Sequence, residues 1–268
     1  MPLGIWVIRT LDSVGNKIST AYLFLRRIFL ETIFITTFLY VSIYGSIFDL
    51  ESAYSSLILF SIGYLILTCI YEIFYVLNDV VFVRREDKPS IRRYVYNISM
   101  CRVIVVRLIY IIVLVYLLLV YFQVSFTNIC IAISLLTLTL AIHNLQTIKL
   151  KRIYTFSVLR LARWFFIPIS ILGPSKASCI FVPLIPYFVI ELIKGYNYEL
   201  SKYGIQVPRI AIRESYVYAI FLPLQIVSLY PNTLLLLGNI IVMLITFIIE
   251  TLKLKTKIKR FVLERCNK

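Results

Sequence analysis

Acidic residues and histidine are scarce in this chain, with 13 Asp and Glu and one His among 268 residues, against 28 Lys and Arg. Because 60% of the residues are hydrophobic, including 20 Tyr and 18 Phe, so few polar groups cannot coat a water-soluble globule, and lipid is the solvent for most side chains. The lone His143 argues against a zinc centre and against a histidine-based nucleophilic triad. It lies near the inner end of the fourth apolar run and reads as a hydrogen-bonded packing residue. The five cysteines, Cys69, Cys101, Cys130, Cys179 and Cys266, show no C-x-x-C or metal-ligand spacing. Four fall in or beside apolar runs, where a free thiol is a small buried hydrophobe, so no disulfide is expected. The first 20 residues lack an apolar core followed by a small-residue cleavage site, and read as a short interfacial segment rather than a cleaved signal.

Long apolar runs, in contrast, are abundant. A spanning helix needs about 20 apolar residues to cross about 30 Å of hydrocarbon, and runs occur near 28–48, 52–79, 103–122, 126–145, 156–173, 177–194, 215–230 and 232–252. Cutting the chain there places every Lys and Arg except Lys176 on one side. Asp49 and Glu51, Gln123 to Asn128, Lys176 and Pro231 mark the outer turns. Arg84, Arg85, Lys88, Arg92, Arg93, Arg102 and Arg107 lie between the second and third spans. Lys149, Lys151 and Arg152 lie between the fourth and fifth, with Arg160 and Arg163 in the first turns of the fifth, and Lys194, Lys202, Arg209 and Arg213 lie between the sixth and seventh. Positive charge gathers in cytoplasmic loops, so the expectation is an all-α, multi-pass protein of the cell membrane with both termini cytoplasmic. Residues 1–27 form the interfacial segment, 28–252 the bundle and 253–268 a basic tail.

A faint internal repeat runs through the bundle. The second span ends with Glu72, Asn78 and Asp79, the sixth with Glu191, Asn197 and Glu199; in each, Asn follows Glu by six residues, a carboxylate comes next and a basic loop follows. Two four-helix halves, 28–145 and 156–252, are expected, and duplicated bundles of this kind often enclose a site between them. Glu72 and Asp79 are two helical turns apart and share a face. An ionisable group inside a span faces a polar cavity or a partner. For Glu72 and Glu191 two readings stand, a cavity lining or a structural ion pair with one of the arginines.

Three stretches carry a resemblance. They are Asn78 to Pro89 (Asn-Asp-Val-Val-Phe-Val-Arg-Arg-Glu-Asp-Lys-Pro), Leu150 to Thr155 (Leu-Lys-Arg-Ile-Tyr-Thr), and Lys202 to Pro208 (Lys-Tyr-Gly-Ile-Gln-Val-Pro) behind Tyr196 and Glu199. In order, spacing and position they resemble the motifs of the UbiA superfamily of intramembrane prenyltransferases. Phe82 stands where that family's first motif repeats Asp, Glu86 replaces the next Asp, and Tyr196 and Leu200 occupy the Asp places of the second motif. The resemblance implies a UbiA-like bundle that uses Mg²⁺; that family usually has a ninth span, where the apolar runs here give about eight. Asp79 and Asn78 would be the catalytic residues. Asp79, Glu86, Asp87 and Glu199 would hold the metal, and Arg84, Arg85, Lys88, Lys151, Arg152, Lys202 and Arg209 the diphosphate.

The chemistry of such a site follows from its substrate. An isoprenyl diphosphate has an apolar tail and a strongly anionic head, so it needs an apolar passage that ends at a polar mouth. Carboxylate-held Mg²⁺ and basic side chains would neutralise the charge that develops as the allylic C–O bond breaks. Transfer of the prenyl group to a lipid-soluble polar or aromatic acceptor is therefore the first expectation. A second is a non-catalytic scaffold or channel subunit of a translocation machine, importing DNA for instance, with further membrane subunits or an ATPase as partners; the substituted acidic positions motivate it. Since the positive-inside rule by itself accounts for most basic loops, direct nucleic-acid binding is not expected. A secondary transporter is the third, although Pro183 and Pro186 of the sixth span have no counterpart in the second.

Overall fold

The computed structural model describes residues 35–45, 49–82, 99–146, 149–178, 181–202 and 213–229 and five positions between 240 and 248; at 149–153, 182–184, 191, 194, 195, 198–202, 214, 215, 225 and 227–229 it describes the backbone alone. Among the described residues all regular structure is helical. The order is α1 (Ile35–Tyr44), α2 (Leu50–Leu77) continued by one π-helical turn (Asn78–Phe82), α3 (Met100–Val120), α4 (Phe126–Leu145), α5 (Lys149–Leu172), α6 (Pro174–Ala177), α7 (Phe181–Lys202) and α8 (Glu214–Leu229). Four of these stretches are long and apolar enough to cross a membrane: Leu50–Phe82, Met100–Val120, Phe126–Leu145 and Tyr154–Leu172. The chain is thus a helical membrane protein.

Several boundaries differ from the sequence reading. Helix α5 starts at Lys149 rather than 156, because the Lys149–Arg152 segment contains good helix formers and no Gly or Pro stop. Lys151 and Arg152 therefore sit on a helix instead of in a loop, and Arg160 and Arg163 fall in its third and fourth turns. Helix α7 begins at Phe181 and continues to Lys202, so Glu199 and Lys202 are also helical. Arg107, assigned above to the connection between spans, lies in the second turn of α3 and is buried. Of the described cysteines Cys69 is buried, but Cys101 and Cys130 are exposed on helix surfaces, contrary to the buried packing role.

Capping sets where the spans begin. Asp49 precedes α2 in extended conformation, and its carboxylate accepts from the Ser52 backbone N–H at 2.9 Å and the Ser52 hydroxyl at 2.7 Å, which satisfies one of the orphan donors of the first turn. The Asp49 N–H donates in turn to the Tyr40 hydroxyl at 2.6 Å, tying the cap to α1. These bonds to Ser52, the hydroxyl first, hold the Asp49 carboxyl below its ordinary pKa. A carboxyl whose pKa is depressed by folding contributes stability above its unfolded pKa and loses it as pH falls through the folded one. The melting temperature of Asp49→Ala is therefore expected to lie below wild type at neutral pH and to converge on it at the acid end of the carboxylate range. A gap independent of pH would refute the charged cap.

At the same end of the α3–α4 hairpin, Gln123 adopts φ 51 and lets the Val124 N–H reach back to the Leu118 carbonyl at 3.1 Å. Gly173, at φ 85, turns the chain from α5 to α6; a Cβ there would meet both amide atoms of Asn128 at 3.0 Å. The first turn of α4 and the last of α5 are thus adjacent, as two antiparallel neighbours joined by a short connection require.

Two compact units divide at residue 180, Met1–Ile180 and Phe181–Lys268. In the first, α5 packs along α4 and against α2, and α3 packs along α2. Ile129, Ala132, Leu136 and Leu140 recur at three- and four-residue intervals and form the buried stripe of α4. In α3 only Arg107 and Leu118 are buried, while Val105, Leu108, Ile109, Ile112, Val113 and Tyr116 point outward. A continuous apolar outer surface of this kind suits hydrocarbon. Helices α2 and α5 approach closely at Gly63, where an added Cβ would lie 3.2 Å from Ile167 Cγ2. In the second unit α7 and α8 pack together, with the Tyr187 and Tyr218 rings edge to face at 5.0 Å.

Candidate functional site

Helix α2 carries polar groups on two faces. On one, Glu72 forms an ion pair with Arg107 of α3, and the two side chains are 2% and 7% exposed. The Arg107 guanidinium also lies over the Tyr110 ring, 5.7 Å from its centroid. Of the two readings open for Glu72, the structural ion pair is the one realised. Its partner is the arginine inside the next span, which compensates two charges that neither could keep in hydrocarbon alone.

One turn further on, α2 widens. The Phe74 carbonyl accepts both from the Asn78 N–H and from the Asn144 side-chain amide of α4, the latter at 3.3 Å. A side chain inserted in this way competes with the α-helical ladder, and the following turn is π-helical. Single π turns recur at functional sites. Asn78 and Asp79 open this turn. Asp79 is 4% exposed and accepts from the Asn78 amide at 3.3 Å. At the same end of the α4–α5 pair, His143 Nδ1 and the Thr155 hydroxyl share a hydrogen bond of 3.0 Å, and the imidazole lies near the Phe156 ring, so His143 does serve as a hydrogen-bonded packing residue.

Of the site residues expected from the sequence, Asn78 and Asp79 come together in this turn. Arg84, Arg85, Glu86, Asp87, Lys88 and Arg209 lie outside the described residues. Lys151 and Arg152 stand on the first turn of α5, and Glu199 and Lys202 on the last turn of α7, with side chains outside the description. Among the described residues no three His, Cys, Asp or Glu side chains converge. Asp79 offers oxygen donors of the kind Mg²⁺ takes, and its burial against an amide keeps that carboxylate in place.

Sequence reasoning missed a cleft on the other face of α2. Tyr64, Leu67, Thr68, Tyr71 and Tyr75, one stripe at helical spacing, line it together with Arg163 of α5. Arg163 Nη2 donates to the Tyr64 hydroxyl at 3.3 Å, the Tyr71 hydroxyl reaches the Leu159 carbonyl at 3.5 Å, and the Tyr71 and Tyr75 rings meet edge to face at 5.7 Å. A guanidinium at the centre of a span costs about 2.5–3.5 kcal/mol on insertion scales. Arg163 occupies the middle of Tyr154–Leu172, and that position, an arginine deep in an apolar run, was the signal that could have found the cleft.

No protein-family model matches the chain, and no curated protein or solved structure is significantly similar to it.

Proposed function

We propose that this chain is a UbiA-like, multi-pass protein of the cell membrane, with eight spans and cytoplasmic termini, that transfers an isoprenyl group from a prenyl diphosphate to a lipid-soluble acceptor. The observation that carries this reading is the burial of Asp79 beside Asn78 in a widened turn at the end of an apolar span. That placement suits a head group which must meet a carboxylate while its tail stays in hydrocarbon. Mg²⁺ bound by Asp79, with Glu86 and Asp87 as further ligands, would supply neutralisation of the diphosphate. Asn78 holds the Asp79 carboxylate in position, and the basic residues Arg84, Arg85, Lys88, Lys151 and Arg152 bind the phosphate oxygens.

Full-length protein, Mg²⁺, radiolabelled geranylgeranyl diphosphate and a lipid-extract acceptor pool test the reading. Labelled product is expected, with Asp79→Asn lowering its rate at least about 100-fold, near 2.7 kcal/mol of transition-state stabilisation. If wild type gives no product and Asp79→Asn leaves the cell's prenylated lipids unchanged, the enzymatic reading fails. A second reading, a non-catalytic subunit of a membrane translocation machine, draws on Phe82. This residue closes the π turn at the place where the resembled motif has an Asp, and a phenyl ring cannot ligate Mg²⁺. Stable co-purification with an ATPase or small membrane subunits, without turnover, is the result that would favour it.

A further inference from the structure

The last turn of α4 reaches two neighbours with two successive side chains. His143 shares its hydrogen bond with Thr155 of α5, and the Asn144 amide donates to the Phe74 carbonyl of α2. Asn144 is buried, 9% exposed, where leaving its amide without that acceptor would be costly. Helix α4 also packs against the π turn itself. Its end, tied to α5 through His143, is a fixed base from which Asn144 acts on α2.

What Asn144 acts on is the hydrogen-bond ladder just before Asp79. The Asn78 N–H is divided between the Phe74 and Tyr75 carbonyls, and the Phe74 carbonyl accepts from Asn144 as well. Insertion of a side chain into the ladder is one of the few causes that break α geometry, and the π turn Asn78–Phe82 begins at this residue. A π turn accommodates one extra residue, which displaces the helical register by about 100° around the axis. We propose that Asn144 is a positioning residue, whose hydrogen bond to Phe74 sets the register at which α2 presents Asp79. Its amide keeps the turn wide; without that donor the ladder closes to α geometry and the residues of the turn swing, those nearest Phe82 furthest. The register follows from this geometry alone, whereas its consequence for turnover rests on the reading of Asp79 as a Mg²⁺ ligand in prenyl transfer.

The test measures the register directly. In full-length protein whose five native cysteines are replaced by alanine, one nitroxide is placed at Val81→Cys, near the end of the turn. A second is placed at Val105→Cys of α3 or at Leu138→Cys of α4; all three positions are exposed. Pulsed electron paramagnetic resonance in nanodiscs then gives two distances. Asn144→Ala and Asn144→Leu should each shift at least one of them by about 5 Å or more, as a label carried around the helix axis must. Distances from Leu65→Cys, which precedes the turn, should stay as in wild type. Asn144→Gln, which keeps the donor, should lie closer to wild type than either. A residue that only stabilised the bundle would change the melting temperature and leave these distances alone. The proposal is overturned if Asn144→Ala leaves both Val81→Cys distances unchanged, or if only the bulkier leucine moves them. In the prenyl-transfer assay Asn144→Ala should lower product formation at least about tenfold, the cost of a misplaced catalytic group, and Asn144→Gln should restore part of it; an Asn144→Ala protein as active as wild type also overturns the proposal. If wild type forms no product, the transferase reading fails while the distances still decide the register.

Discussion

Arg107→Met is expected to destabilise the protein by about 3–5 kcal/mol, because it strands the Glu72 carboxylate in a site that is 2% exposed. For a chain of this size that amounts to a drop in melting temperature on the order of 10 °C. Glu72→Leu should cost a similar amount by stranding the guanidinium. In the double variant Glu72→Leu/Arg107→Met neither charge remains and the volumes are close to the originals, so stability should return to within about 1 kcal/mol of wild type or exceed it. Thermal melts of the four proteins in one detergent decide the matter. Additive losses in the double variant would show that the two residues do not act as a pair.

Gly63→Leu should be nearly as damaging, through packing rather than charge. A Cβ at this position already meets Ile167 Cγ2 at 3.2 Å and Cγ1 at 3.3 Å, and Ile167 is 1% exposed, so it has little room to yield. Alanine asks for a shift of a few tenths of an ångström and should be tolerated. Leucine must force α2 and α5 apart, at a cost of about 1–3 kcal/mol or more. Because Tyr64 follows Gly63 and Arg163 lies one turn before Ile167, the same wedge should loosen the Arg163–Tyr64 hydrogen bond. Ile167→Ala in the Gly63→Leu background is expected to recover part of the lost stability. A Gly63→Leu protein that melts with wild type would mean that the two helices do not approach so closely.

Much of the architecture was legible along the chain because lipid imposes a simple rule. Each span must satisfy its own backbone and present apolar side chains for about 20 residues. The run at 126–145 coincides with α4, and the one at 215–230 nearly coincides with α8. Boundaries slipped where helix continues past the apolar stretch, at Lys149 to Arg152 and at Glu199 to Lys202, since a helix stops at a cap or a breaker and not where hydropathy falls. Asn78 and Asp79 were legible as a polar pair at the end of a span. The π turn that holds them was not, nor was the hydrogen bond to the Phe74 carbonyl just before it, which comes from Asn144, a residue 70 positions from Phe74.

From the chain alone came the membrane environment, the helical class and the polar positions on α2, since all three follow from local composition and the 3.6-residue period. Which polar residue answers which could be settled only in three dimensions. Glu72 meets Arg107 across α2 and α3, and Tyr64 meets Arg163 across α2 and α5. Partner choice depends on how deep each side chain sits and which helix lies beside it, and a helix presents several faces to several neighbours.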